Sequence, residues 1–339
     1  MKCMKNSIFL LFLLLISCKQ ESKLLVLPEE TPITGIDYTN ELYMSYPLSI
    51  DIIKDKLLVL MHKSDNVLHI VDANNGLVVN KIGVMGGGPG EFLQPRYLGY
   101  DHSNIYLYDL RQKKVRSYKW NAIEKGGDLP KIEGIHQKDK DITILDGQIL
   151  NGNYFVGNSI LGLSKPIVVL DKEMNVVNNV GEIPDSEHEN KALTTYGGVI
   201  DCYENKFVFA MSSLGYIAYY EQRPDGKSNL LWEHYLEGPI YKGDQLDIKQ
   251  LKLVFPDIKM TKNYIFCSYF GERLTREKWK TLKPRNILVF DHQGNLLKNL
   301  RSKRSLGKFT VSEDEKTIYA ATEEPEVAII RFDISNILK

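Results

Sequence analysis

The sequence predicts an all-β fold: a six-bladed β-propeller of four-stranded antiparallel blades, its ring closed by a strand from the amino-terminal end. Three observations predict it. A short polar turn followed by an apolar strand recurs six times, and a second apolar strand ending in an acid follows it in step. The last unit then stops at Lys339 after only three strands.

The first series comprises KLLVL from Lys56, NIYLY from Asn104, NYFVG from Asn153, KFVFA from Lys206, NYIFC from Asn263 and KTIYA from Lys316. Counted at Leu57, Ile105, Tyr154, Phe207, Tyr264 and Thr317, the spacings are 48, 49, 53, 57 and 53. A period of this length marks a supersecondary unit that stacks on its neighbours. The second series ends in Asp72, Asp171, Glu221, Asp291 and Asp333; the second unit departs from it, because RSYKW runs to Trp120 where the acid should stand. Asn or Gly follows several of these acids, and a further apolar strand returns, which is hairpin chemistry. Each unit therefore carries four strands. Such a sheet has two faces to bury and two edges to protect, and radial repetition does both. The missing fourth strand of the last unit is expected within Leu24 to Tyr38.

The amino terminus is read apart from the fold. Lys2 and Lys5 precede IFLLFLLLI, an apolar run far short of the roughly 20 residues that a spanning helix needs. Residues 1–17 read as a signal peptide. The run ends in Leu15-Ile16-Ser17-Cys18, which resembles a bacterial lipobox and implies lipidation of Cys18. The partner so implied is a membrane, reached through a lipid anchor. Lys19 beside Cys18 leans towards the outer membrane of a Gram-negative cell. Residues 18–32 read as a tether grading into the closing strand, and 33–339 as the propeller.

Four glycines in five residues, GGGPG from Gly86, raise a nucleotide-binding reading, since bare backbone amides can surround a phosphate. The run lacks the Lys-Ser or Lys-Thr pair of a P-loop, and Pro95 stops any helix that would follow. The stretch is read instead as the crossing from the first blade to the second, with Phe92 packed between blades and Glu91 bonding the loop amides.

Ile82 to Trp120 resembles an NHL repeat: a glycine-rich turn, Gly90-Glu91-Phe92, Pro95, a first strand, then IYLYD and a basic loop before VRSYKW. FTVSEDEKTIYAAT resembles the Ser-x-Asp-x-Lys turn of TolB-type propeller repeats. The mature chain is thus similar to the six-bladed, TolB-like propeller lipoproteins of Bacteroidetes. That resemblance implies architecture more firmly than activity.

Composition narrows the function. The 43 basic residues less Lys2 and Lys5 leave 41 against 43 acidic ones, a formal charge of minus two after processing. This balance argues against a nucleic-acid partner, which would leave a basic footprint. The seven histidines stand at no ligand spacing; HENKA at His188 lacks the second histidine of HExxH, and neither G-x-S-x-G nor Cys-x-x-Cys occurs. No catalytic residue, metal site or cofactor is assigned. Cys202 and Cys267 read as two isolated buried thiols, although an oxidising compartment would allow them to pair.

Binding surfaces are sought where a unit departs from the average. YFGERLTREKWKTLKPRN, Tyr269 to Asn286, is much longer than its counterpart LRQKK in the second unit. Arg273, Arg276 and Trp279 in it form a candidate ligand site, an indole among guanidinium groups able to stack on a sugar or hold an acid. The plainer alternative is a solvated helical lid. The crossings from Ile183 and from Glu237 are expected to cover the same end of the ring. The leading functional reading is a non-catalytic binding or scaffold lipoprotein for a glycan, peptide or envelope protein. The competing one is a metal-dependent hydrolase or lyase with its site at the propeller axis.

Overall fold

The computed structural model describes residues 23–38, 47–61, 64–126, 132, 134–159, 165–181, 197–236, 240–243, 245–273 and 283–338. It is a six-bladed propeller of four-stranded antiparallel sheets. Blade one runs through Pro47–Ile53, Lys56–Met61, Asn66–Asp72 and Val78–Val84, and blade two through Pro95–Tyr100, Asn104–Asp109, Lys114–Lys119 and Ile135–His136. Blade three comprises Ile144–Leu150, Tyr154–Ser159, Ile167–Asp171 and Val176–Val180; blade four, Gly198–Tyr203, Lys206–Met211, Tyr216–Gln222 and Ser228–Tyr235. Blade five comprises Ile258–Met260, Tyr264–Tyr269, Asn286–Asp291 and Leu296–Ser302. Blade six adds Gly35–Asp37 to Phe309–Val311, Thr317–Thr322 and Ala328–Asp333.

The recurrent strand is the second of each blade, and it reads as a continuous apolar run because both of its faces are covered. Hydrophobic clusters occupy all six blade interfaces, from Phe92 and Leu60 between blades one and two round to Tyr319 and Val59 between six and one. The aspartates that end the third strands cap their own turns: Asp291 Oδ1 accepts from the Gln293 and Asn295 amides at 3.0 and 2.8 Å, and Asp171 Oδ1 from the Asn175 amide at 2.8 Å, whereas Glu221 accepts from Asn205 Nδ2 in the neighbouring turn. Blade two departs here for a visible reason. Its third strand passes into a one-turn helix, Trp120–Glu124, that buries Trp120 and Ile123 in the interface with blade one.

The GGGPGEF stretch is the crossing between blades one and two. Phe92 is fully buried, and Glu91 Oε2 accepts from the Gly88 amide at 2.8 Å. A Cβ on Gly86 would stand 2.2 Å from that carboxylate oxygen, so the glycine leaves room for the cap.

The chain start closes the ring. Gly35–Asp37 pairs antiparallel with the third strand of blade six, Ile36 opposite Arg331, and Tyr38 Oη reaches the Asp72 carbonyl of blade one at 2.9 Å. The segment just before it does more than the tether expected of it. Glu30–Ile33 lies parallel along the outer strand of blade five, and Lys23–Leu24 along that of blade four. The start of the described chain is therefore a strap over three consecutive blades. Its pairing is mostly main-chain, so it leaves little trace in side-chain pattern; Ile33, 4% exposed, is its anchor in the core.

Candidate functional site

The antiparallel order places the turns between first and second strands and between third and fourth strands on one face of the ring, and the turns between second and third strands on the other with the blade-to-blade crossings. The first strand of every blade lines the axis. Asp51, Gly99, Gln148, Asp201, Lys259 and Thr310 occupy equivalent positions, each opposite the same point of its second strand, from Leu58 in blade one to Tyr319 in blade six. Two residues earlier stands a second ring, nearer the crossings: Ser49, Tyr97, Asp146, Val199, Asp257 and Lys308. The Lys259 ammonium is influenced by the carboxylates of Asp51, Asp201, Asp257 and Asp146, from four blades that only the axis brings together.

The axial acids tie each blade to the next. Asp146 Oδ2 accepts from the Ile200 amide at 2.9 Å, Asp201 Oδ2 from Met260 at 2.6 Å, and Asp257 Oδ2 from Phe309 at 3.0 Å. Thr310 Oγ1 donates to Asp51 Oδ1 at 3.4 Å, carrying the series back to blade one. Lys308 Nζ pairs with Asp257 at 2.8 Å, whereas Lys259 Nζ comes no nearer than 3.8 Å to Asp51.

Burial governs the protonation of this cluster. It pushes Asp201 up to about 7, against the opposing pull of Lys259, and it also raises Asp146. For Lys259 burial acts downward, but the surrounding carboxylates, Asp51 first, outweigh it and hold the ammonium above its ordinary value. Tyr97 is raised well above the phenol range by burial and then by Asp51. Although Asp51 is close enough to do this, the Tyr97 hydroxyl has no partner of good hydrogen-bond geometry, nor has Ser49 Oγ.

The crossing face carries the departures from regularity. Lys252–Leu253, in the crossing from blade four to five, pairs antiparallel with Glu272–Arg273 of the blade-five excursion. The Val254 amide donates to the Ser212 carbonyl at 2.6 Å, fastening this raised ribbon to blade four. Arg273 is exposed on the ribbon. Arg276 and Trp279 lie outside the described residues, as do Cys18 and His188. Two other cations of the excursion are engaged with blade six, Lys283 with Glu323 at 2.5 Å and Arg285 with Glu324 at 2.8 Å.

The described histidines have structural surroundings. His292 bonds the Tyr219 hydroxyl through Nδ1 and the Thr261 carbonyl through Nε2, and His234 stacks on Trp232. Cys202 and Cys267 are free thiols. Among the described residues no three His, Cys, Asp or Glu side chains gather closely enough to hold a metal. A cavity of about 650 Å³ opens between blades three and four on the face away from the crossings, lined by Asn151, Tyr154, Glu204 and Arg223 among others.

The model of the TolB-like 6-blade propeller-like family matches residues 28–314. The chain belongs to that family. This TolB-like propeller is similar in structure to an exported protein of Bacteroides fragilis, with a TM-score of 0.61 at 14% identity over 89% of this chain and 99% of that one. It is also similar to the hydrazine synthase of Kuenenia stuttgartiensis, with a TM-score of 0.49 at 13% identity over 88% and 79%. At 14% identity the likeness to the Bacteroides fragilis protein shows a shared fold and nothing of activity. No curated protein matches the chain.

Proposed function

We propose that this TolB-like propeller is a cell-envelope lipoprotein acting as a non-catalytic binding or scaffold module, with its crossing face turned to a glycan, peptide or envelope protein. The raised ribbon carries this reading. The crossing from blade four to five and the following excursion within blade five are joined by the pairing of Lys252–Leu253 with Glu272–Arg273, which builds a two-stranded prominence on the crossing face. Arg273, Arg276 and Trp279 supply its recognition chemistry. The exported relative from Bacteroides fragilis supports an envelope location. Cys18 stands five residues before Lys23, so an acyl anchor leaves the ring at the outer edge of blade four.

The axial hydrolase or lyase reading needs a gathered set of metal ligands. The axial carboxylates instead hold backbone amides and Lys308.

The test uses the soluble body from residue 23 on arrays of glycans and of peptides. Replacing Arg273, Arg276 and Trp279 together with Ala is expected to abolish binding to whichever class is retained, with the melting temperature nearly unchanged. A large loss of stability would instead show these residues to be core, and undiminished binding by the triple variant would place recognition elsewhere.

A further inference from the structure

The strap carries apolar side chains where water would favour polar ones. Leu25 is turned into the core between blades four and five, but Val26 is 86% exposed and Leu24 64%, more than any other large apolar side chain among the described residues. Leu27 is exposed beside them. Leu297 extends the patch onto blade five, two residues before Asn299, whose Nδ2 donates to the Pro28 carbonyl at 3.3 Å. The patch thus follows the outer rim where the strap passes from Tyr235 of blade four to Asn299 of blade five, and it ends at Glu29 and Glu30. Ring closure through the main chain does not require leucine or valine at the outward positions. A contiguous exposed apolar patch marks a contact surface.

What it contacts follows from where the chain comes from. Cys18 stands five residues before Lys23, and five residues span at most about 18 Å when fully extended. Acyl chains on Cys18 would therefore hold Leu24 close to the lipid headgroups. Charge favours no other partner: Glu29 and Glu30 are balanced by Lys298 and Arg301, the latter 3.8 Å from Glu30. We propose that the rim of blades four and five rests on the lipid bilayer, with Leu24, Val26 and Leu27 seated at the boundary of headgroups and acyl chains. The proposal rests on the Cys18 anchor and adds to it the surface that meets the lipid. The ring then stands on edge, and both the crossing face with its ribbon and the opposite face with its cavity stay open to solvent.

The experiment uses the full-length lipidated protein on phosphatidylcholine vesicles. Bimane is attached at Val26→Cys and, for comparison, at Val79→Cys, also exposed but on the outer strand of blade one, across the ring from blade four. Cys267 is buried and Cys202 half-buried, and wild-type protein treated alike supplies the blank. Brominated phosphatidylcholine is expected to quench the label at 26 at least about twofold and that at 79 hardly at all, since an interfacial segment sits about 5–10 Å deep. Quenching at 26 should persist in high salt and without anionic lipid, because the contact is apolar. Replacing Leu24, Val26 and Leu27 together with Ser should leave the melting temperature nearly unchanged, and it should end the quenching of a label at Leu297→Cys while the protein still sediments with the vesicles. The proposal is overturned if sedimenting protein shows no more quenching at 26 than at 79, or if quenching requires anionic lipid. A label at 26 shielded by a second copy, seen as a dimer with no quenching, overturns it as well. Protein that fails to sediment with the vesicles would remove the anchor itself, and the rim contact with it.

Discussion

Ring closure rests on a tight contact at Gly35, and substituting that residue tests it. A Cβ built there would lie 2.4 Å from Ile330 Cγ2 and 2.6 Å from Phe332 Cε1, and both neighbours are buried in the interface of blades five and six. Gly35→Val must therefore push the closing strand away from blade six or force those side chains from their rotamers. Overpacking of this kind costs about 1–3 kcal/mol. In a chain of this size each kcal/mol lowers the melting temperature by roughly 2 °C, so calorimetry should record a fall of about 2–6 °C. Gly87→Ala is the matched control, because nothing lies within 4 Å of its added Cβ; it should melt within about 1 °C of the wild type or slightly above it. Trypsin digestion should cut Gly35→Val sooner than the control, near Lys23. Equal melting temperatures for Gly35→Val and the wild type would refute the reasoning.

Three further outcomes are expected. Because burial raises Asp201 in the folded state to about 7, its carboxyl stabilises the fold most while protonated, and that contribution is lost as pH rises from about 4 through 7; Asp201→Asn should flatten the fall in melting temperature between pH 5 and pH 8, and an unchanged slope would contradict the assignment. Asp109, fully buried, caps the amides of Leu93, Arg111 and Gln112 at 2.6–2.9 Å, so Asp109→Ala should destabilise by about 2–4 kcal/mol in chemical denaturation; a change below about 1 kcal/mol would show that water replaces the cap. Cys18→Ser should move the full-length protein from the membrane to the soluble fraction and end palmitate labelling, whereas retention in the membrane would remove the lipid anchor from the account.

The blades were legible because each second strand is apolar on both faces and most third strands, blade two's excepted, end in an acid at the turn, patterns that local chemistry imposes every 50 residues or so. The strap at Lys23–Leu24 and Glu30–Ile33 was not, since two to four residues paired through the main chain along a sheet edge need no particular side chains. The axial cluster was missed for another reason. Its members stand one per blade, so no spacing within a motif connects Asp51, Tyr97, Asp201 and Lys259. A signal was nonetheless present: Asp51, Gly99, Gln148 and Asp201 each stand six residues before the repeat anchors Leu57, Ile105, Tyr154 and Phe207. Lys259 stands five residues before its anchor because Tyr264 is the first residue of its strand where Leu57 and Phe207 are the second, and a longer turn sets Thr310 seven residues before its own, which breaks the register in the last two blades. The ribbon lay between these cases. Its excess length and charge marked the excursion from Tyr269, but its pairing with Lys252 depends on a crossing some 20 residues earlier.

Amide hydrogen exchange tests the closed ring most directly. The amides of Ile36 and Tyr38, which face blade six, should exchange nearly as slowly as those of Ile318 to Ala320 in its interior, since the Tyr38 amide donates to the Ile329 carbonyl at 2.9 Å and Ile36 stands two residues earlier, opposite Arg331. Rapid exchange of both amides beside a protected blade six would mean that the chain start does not hold the ring shut.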